Sequence, residues 1–260
     1  MREYRLTSMP TLLKKELAKQ DIDIIEEKFN QRKSWLLYVN IAINKLLDRY
    51  GINYTCRNIK DTGWDKLWKN YLEDGWLTEK VYYCFDKKIC KNKPLSILIN
   101  PSLAFGTGGH VSTQIAARLL EKVANRQTVL DIGTGSGILA ILASITGANK
   151  VFACDVDALA ITNAKENIGL NRCKNIYIWT GGINSFAFKA KPTVIVTNIV
   201  TSVLIDLHPQ ILMYKPKYII YSGILLKETE EFVSSIHIKN YQPDALLHMK
   251  EWCGMRFKMI

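Results

Sequence analysis

The chain has 260 residues, 48% of them hydrophobic, so it can bury one large core or two smaller ones. Its formal charge of +11 is evenly spread: residues 1–93 hold 19 basic and 13 acidic residues, and the remainder holds 16 and 11. This distribution excludes a dedicated basic arm for nucleic acid, although the charge would favour an encounter with RNA or an acidic partner.

The cysteines and the hydropathy exclude further classes. The six cysteines contain no CxxC pair and no metal-ligand spacing, so no metal site is expected. No stretch approaches 18 consecutive apolar residues, and MREYRLTSMP lacks the apolar core of a signal peptide. We therefore expect a protein of the reducing cytoplasm, without membrane association.

The first 60 residues predict a small α+β domain. Short strands near residues 4–7, 23–29, 35–39 and 54–59 alternate with helices over LLKKELAKQ and AINKLLDRY. The resulting order, βαββαβ, is typical of a ferredoxin-like fold. Because every cofactor-like motif lies after residue 98, we interpret residues 1–60 as a substrate-recruiting domain.

Residues 61–93 are predicted to be an aromatic-rich linker. Trp64 and Trp68 are four residues apart, which places them on one face of a helix. Two interpretations are open: packing between the domains, or stacking on a nucleic-acid base.

Residues 94–260 predict the larger domain. Strands alternate with helices, and the segments DALLHMKEW and CGMRFKMI form a terminal antiparallel pair. This order predicts a doubly wound, mostly parallel α/β sheet.

A glycine-rich turn follows the first strand of that alternation, in VLDIGTGSGILA. Gly133, Gly135 and Gly137 stand at alternate positions after Asp131, and Ile138 occupies the place of a dinucleotide fingerprint's third glycine. The pattern resembles motif I of class I methyltransferases, whose sheet has seven strands and whose cofactor is S-adenosyl-L-methionine. Asp155 ends the next strand, where its carboxylate can accept hydrogen bonds from both ribose hydroxyls.

Five stretches carry a more specific resemblance: WDKLW (64–68), INPSLAFGTGGHVST (99–113), DIGTGSGILAI (131–141), NIV (198–200) with SGIL (222–225), and EWCGMRF (251–257). With these stretches the chain resembles the PrmA family, methyltransferases that modify large-subunit ribosomal protein eleven. The resemblance implies cofactor binding at Thr113, Gly133, Asp155 and Asn198. It also implies a ribosomal protein as substrate. The net charge of +11 allows contact with ribosomal RNA as well.

Other residues of these motifs have more than one interpretation. Thr113, at a helix start, can offer its hydroxyl and amide to the methionine carboxylate. Phe105 can stack near the adenosine, face the sulfonium or anchor its loop, and Gly106 gives that loop freedom to act as a lid. The residue after the third strand is not acidic, so Asn184 or a backbone carbonyl must hold the adenine amine.

Asn198 begins the segment that indicates which kind of nitrogen accepts the methyl group. Methyltransferases of planar nitrogens usually have Pro-Pro-aromatic after this position, whereas Ile199, Val200 and Thr201 follow here. The sequence therefore favours a flexible amine, with Asn198 orienting it, and His110 either taking its proton or structuring the loop.

We therefore expect N-methylation of lysine side-chain and/or N-terminal amines of that ribosomal protein. Two alternatives are open: a lysine methyltransferase of the same superfamily that acts on another protein or small amine, and a non-catalytic ribosome-binding relative.

Overall fold

The computed structural model describes residues 2–19, 24–29, 32–39, 42–58, 73–100, 108–186 and 191–260. Contacts divide the chain into two compact units, Met1–Tyr71 and Leu72–Ile260. Within the described ranges, no helix is long and apolar enough to cross a membrane, and no group of three or more His, Cys, Asp or Glu side chains is suited to a metal ion.

The first unit contains the predicted α+β domain. Its elements are β1 (Arg2–Leu6), α1 (Thr11–Lys19), β2 (Ile24–Phe29), β3 (Arg32–Val39), α2 (Asn44–Arg49) and β4 (Tyr54–Asn58). The sheet order is β2-β3-β1-β4 and all three pairings are antiparallel. Leucines of both helices pack with Tyr4, Leu6 and Leu37 to form the core of this unit. The predicted βαββαβ order and the ferredoxin-like topology are confirmed.

A small sheet opens the second unit. It consists of β5 (Gly75–Trp76), β6 (Tyr82–Cys84) and β7 (Ser96–Leu98), with α3 (Lys87–Lys91) between the last two strands. Residues 73–93 are therefore folded with the larger unit, which differs from the predicted linker over 61–93. Trp64 and Trp68 lie outside the described residues.

The structure also pairs two of the cysteines. Cys84 at the end of β6 and Cys90 on α3 form a disulfide, with their Cα atoms 5.8 Å apart. The expectation of a reducing environment did not anticipate this pair. The short helix α3 turns the chain back, and this brings the two cysteines together.

The main sheet has seven strands covered by helices. Its elements are α4 (Val111–Glu121), β8 (Thr128–Ile132), α5 (Ile138–Ile145), β9 (Lys150–Asp155), α6 (Ala158–Leu170), β10 (Ile176–Thr180), β11 (Val194–Asn198), α7 (Thr201–Met213), β12 (Tyr218–Leu225), α8 (Thr229–Ser235), β13 (Tyr241–Met249) and β14 (Trp252–Met259). The strand order is β10-β9-β8-β11-β12-β14-β13. The first five strands are parallel, and β14 is antiparallel to both of its neighbours. The predicted mostly parallel sheet and its terminal hairpin are confirmed.

The topology determines where a ligand can bind. The chain runs outward from β8 through β9 to β10 and then returns to the other side of β8 with β11. Ligands of open α/β sheets bind outside the carboxyl ends of the strands at such a reversal. The central strands are continuous apolar runs because both of their faces are buried. Polar side chains therefore concentrate at the strand ends.

Candidate active site

A cleft of about 590 Å³ lies at the carboxyl ends of the parallel strands. Its wall combines the turns that follow β8, β9, β10 and β11 with the start of α4, Gly223 of β12 and Trp252 of β14. The predicted site residues that line it are His110, Thr113, Gly133, Gly135, Asp155 and Asn198. The fold thus gathers six residues that are separated by up to 88 positions in the sequence (198 − 110).

The glycine turn, residues 133–137, follows β8, and its first three residues line the cleft. Gly133, Gly135 and Gly137 all have left-handed backbones, with φ of 71°, 54° and 83°. A Cβ on Gly133 would come within 2.6 Å of the side chain of Ile199, so glycine is needed there for close approach as well as for the turn. Gly137 is not part of the lining; it precedes α5 and packs against Ala164. Its predicted contact with a cofactor stays a prediction.

Asp155 presents its carboxylate beside this turn. Its Oδ2 accepts a hydrogen bond of 2.9 Å from the Gly135 amide, and its Oδ1 accepts one of 3.0 Å from the Asp157 amide. These two bonds hold the carboxylate in place at the cleft wall. Each oxygen has a further lone pair, so the group can still accept hydrogen bonds from a diol.

Asp131 supports the turn from below. It is fully buried, and its Oδ2 accepts a hydrogen bond of 2.6 Å from the Thr134 hydroxyl. Burial raises the pKa of this carboxyl to about 7; the Thr134 hydrogen bond opposes the rise, and the charge of Asp155 adds to it. Asp131 does not line the cleft, so its role is to hold the turn.

Thr113 and Asn198 both line the cleft and are in direct contact there. The Nδ2 atom of Asn198 donates a hydrogen bond of 3.2 Å to Oγ1 of Thr113. The Thr113 amide already donates to the carbonyl of His110, at 3.1 Å, so the predicted use of that amide for a carboxylate does not fit. The Thr113 hydroxyl still has a hydrogen to donate, and Thr113 can meet a carboxylate through it.

The other amide atom of Asn198 is the clearest sign of a ligand. Its Oδ1 is buried and has no hydrogen-bond partner among the described residues. A buried acceptor without a donor costs about 1–3 kcal/mol, so such groups are rare unless a ligand or water completes them. Because Asn198 lines the cleft, an N–H group of a bound molecule can satisfy this oxygen.

The turn after β11, residues 198–200, is called the acceptor turn here because Asn198 is expected to orient the amine that accepts the methyl group. Gly223 of β12 lies very close to it. Gly223 has φ of 86° and lies at a bulge between Ser222 and Ile224. A Cβ on Gly223 would collide with the carbonyl oxygen of Ile199. Sequence reasoning missed this role of Gly223, although a glycine inside the strand pattern YIIYSGIL is a signal for a bulge or a close backbone approach.

His110 precedes the first residue of α4 and caps that helix. Its Nδ1 accepts a hydrogen bond of 3.2 Å from the Ser112 amide and lies 2.7 Å from the Ser112 hydroxyl. Its ring packs edge-on against Trp252, with 4.8 Å between ring centroids. Burial lowers the pKa of His110, and nearby Glu251 opposes that effect. The loop-structuring interpretation thus has direct contacts in its favour.

Three remaining predictions have different outcomes. Phe105 and Gly106 lie outside the described residues, so their roles stay predictions. Asn184 is exposed and does not line the cleft, whereas Gly181 and Gly182 do. The partner of an adenine amine is therefore to be sought in the backbone of residues 181–182.

The arrangement fits S-adenosylmethionine. The cleft offers open glycine backbone, a fixed carboxylate and a hydroxyl, which are the kinds of partner that its ribose and its methionine part would need. The same cleft has an apolar wall formed by Ile199, Val200, Val203 and Leu207. Among the described residues, the lining offers no lysine or arginine for a phosphate, in keeping with a cofactor that has none.

Comparisons with known proteins agree with this geometry. The family model described as "Ribosomal protein L11 methyltransferase (PrmA)" matches residues 7–259. A ribosomal protein L11 methyltransferase of Acetivibrio thermocellus is 34% identical over 197 residues, which are 74% of this chain and 63% of that protein. One from Clostridium botulinum is 34% identical over 202 residues, covering 76% and 64% respectively. The chain thus spans less than two thirds of the length of these two relatives.

Two further similarities extend the match. A ribosomal protein L11 methyltransferase of Ruminiclostridium cellulolyticum is 33% identical over 249 residues, or 92% of this chain and 75% of that protein. The crystal structure of a ribosomal protein L11 methylase from Lactobacillus delbrueckii subsp. bulgaricus superposes with a TM-score of 0.64 at 28% identity, covering 72% of this chain and 99% of that one. The chain therefore belongs to the ribosomal protein L11 methyltransferase (PrmA) family.

Proposed function

We propose that this protein uses S-adenosylmethionine to methylate lysine side-chain and/or N-terminal amines of ribosomal protein L11. Family membership supports the reaction class and the substrate. The single observation that carries the site assignment is the buried, unpartnered Oδ1 of Asn198, in the same cleft as the glycine turn and Asp155. S-adenosylmethionine, when bound, supplies an electrophilic methyl group on a sulfonium.

The chain's own task is to present a neutral amine. Deprotonating a lysine at pH 7 costs roughly 4–5 kcal/mol, given a reference pKa near 10.4. An apolar wall lowers this cost because desolvation disfavours the charged ammonium. Ile199, Val200 and Val203 supply such a wall beside Asn198. Asn198 Oδ1 can then accept a hydrogen bond from one N–H of the amine. This bond orients the amine so that the lone pair of its nitrogen points into the cleft.

A direct assay tests the function. The intact protein is incubated with S-adenosylmethionine and purified L11, and peptide mass spectrometry then locates the methyl groups. We expect modification of amines in L11 alone when a mixture of ribosomal proteins is offered. Methylation of a different protein would favour the broader lysine methyltransferase, and absence of S-adenosylmethionine binding in a titration would favour the non-catalytic relative.

We further propose that the α+β domain recruits the substrate. It has its own sheet and core, and none of its described residues lines the cleft. Hydrogen exchange of the intact chain, with and without L11, tests this role. We expect slower exchange within residues 2–58 when L11 is added; unchanged exchange there, while methylation proceeds, would contradict it.

Partner and compartment follow from the proposed substrate. We place the reaction in the cytoplasm, where ribosomal proteins are made. Contact with ribosomal RNA rests on the net charge of +11 alone and stays a prediction. Filter binding of ribosomal RNA at several salt concentrations tests it, because binding through phosphates weakens as salt rises.

A further inference from the structure

Three asparagines at intervals of four residues share one face of α6 and its end: Asn163 and Asn167 lie in the helix, and Asn171 directly follows its last residue. Their side chains bond to the backbone of β7 and of the two residues after it. Asn171 accepts from the Leu98 amide at 2.9 Å and donates to the Leu98 carbonyl at 2.7 Å. Asn167 accepts from the Asn100 amide at 2.7 Å, and Asn163 donates to the Asn100 carbonyl at 3.0 Å.

The spacing of helix and strand explains this pairing. Four helical residues rise about 6 Å, and two strand residues rise about 6.6 Å, so the two repeats nearly match. Leu98 and Asn100 therefore face the asparagines, while the amide of the intervening Ile99 donates to Cys84 in the opposite direction. The asparagines thus satisfy the free edge of the strand as a neighbouring strand would.

Asn167 differs from the other two because it also reaches the glycine turn. Its Nδ2 donates a hydrogen bond of 2.9 Å to the carbonyl of Ser136. The side chain has no exposed surface, and Ser136 follows Gly135, which lines the cleft. One buried amide therefore ties the glycine turn to Asn100.

We propose that Asn167 is a positioning residue for cofactor binding. It does not line the cleft; it acts by fixing the Ser136 carbonyl and hence the adjacent Gly135, whose amide holds Asp155. The proposal rests on the proposed use of S-adenosylmethionine. It assigns to Asn167 a contribution to cofactor affinity that Asn171 lacks.

Asn171 offers a matched control because its amide makes equivalent bonds to the same strand but does not reach the glycine turn. Asn167→Ala and Asn171→Ala should both lower the free energy of unfolding in urea. Only Asn167→Ala should weaken S-adenosylmethionine binding, by about tenfold or more, the scale expected when a buried hydrogen-bonding group is left unpaired. Calorimetric titration at a temperature where each variant is folded gives both affinities.

Asn167→Asp keeps the inference testable if the alanine variant fails to fold. Its carboxylate can still accept from the Asn100 amide, but it has no N–H for the Ser136 carbonyl. We expect reduced affinity in this variant too. Wild-type affinity in folded Asn167→Asp or Asn167→Ala, or an equal loss in Asn171→Ala, would overturn the inference. Absence of binding in the wild-type protein would instead contradict the proposed function.

Discussion

The glycine turn and the acceptor turn occupy the same edge of the sheet, yet they are built on opposite principles. The glycine turn uses left-handed backbone at three positions and brings the Gly135 amide to the Asp155 carboxylate. The acceptor turn uses one side-chain amide, with its oxygen unpaired among the described residues, followed by the apolar residues Ile199 and Val200. Val200 is 63% exposed, which leaves it available to contact an incoming chain.

We propose that this difference reflects a division of labour. A turn that binds through backbone and a fixed carboxylate serves affinity for a constant ligand. A turn with one polar atom in an apolar wall serves the orientation of a reacting group. The two turns touch where Ile199 packs against Gly133, so they are coupled in space but separable by mutation.

Asn198→Ala should have the largest effect and should lower turnover much more than cofactor affinity. We expect the catalytic rate on L11 to fall by about a hundredfold or more, the scale of losing one positioned polar group at a reacting centre. Cofactor affinity should change little because Asp155 and the glycine turn remain. Steady-state kinetics and calorimetric titration give the two quantities.

The pH dependence provides a control for that variant. Mutant and wild type should both be faster at higher pH, because both require the deprotonated amine. A folded Asn198→Ala protein with nearly the wild-type rate would remove Asn198 from the reaction.

Asp155→Ala should produce the converse result. We expect S-adenosylmethionine binding to weaken by about 2–3 kcal/mol, because charge-assisted hydrogen bonds to the ribose are lost. Turnover at saturating cofactor should recover toward the wild-type rate. Asp157→Ala is the matched control: the Asp157 side chain caps α6, so its loss should lower the free energy of unfolding by about 1 kcal/mol and leave affinity unchanged. Equal affinity in folded Asp155→Ala would remove Asp155 from the site.

Gly223→Ala should have a smaller effect, transmitted through the acceptor turn. The new Cβ would push on the Ile199 carbonyl, and alanine is strained at a φ of 86°. We expect a loss of stability of about 1–3 kcal/mol and a lower rate on L11 at nearly unchanged cofactor affinity. Gly169→Ala is the control, since Gly169 lies in α6 with open space around its Cα and should be neutral or stabilising. Weaker cofactor binding without a change in rate would reverse the assignment of the two turns.

Much of this comparison could be predicted from the sequence. Alternating apolar strands and helices identified the sheet, and the acid-glycine pattern located Gly133, Gly135 and Asp155 at the cleft. These features depend on local chain geometry, which sequence spacing reports directly. The absence of Pro-Pro-aromatic after Asn198 is local in the same sense. Four consecutive residues, 198–201, are therefore enough to tell this turn from that of an enzyme that methylates planar nitrogens.

Other features could not be predicted because they depend on contacts between distant segments. The collision that makes Gly223 necessary involves Ile199, 24 residues earlier in the chain (223 − 199). Gly137 belongs to the same motif as Gly133, but only the folded structure shows that Gly137 packs against Ala164 whereas Gly133 lies against Ile199. The pairing of Asn167 with Asn100 and Ser136 likewise requires the folded position of α6.

His110 should give the smallest effect and decides between its two interpretations. Asparagine is also a good N-cap residue, so His110→Asn should keep the start of α4 while removing the imidazole. We expect stability within a few tenths of a kcal/mol of the wild type, against a loss of about 1 kcal/mol for His110→Ala, which has no capping group. If His110 only caps the helix, the rate on L11 should fall less than tenfold in His110→Asn. If His110 accepted the proton of the amine, its loss would lower the rate by about a hundredfold or more. A much slower His110→Asn protein that also loses a limb of its pH–rate profile would identify His110 as the proton acceptor. In that case the residues that act on the amine would include His110 at the start of α4 as well as the acceptor turn. The functional division would then no longer lie between the two turns alone.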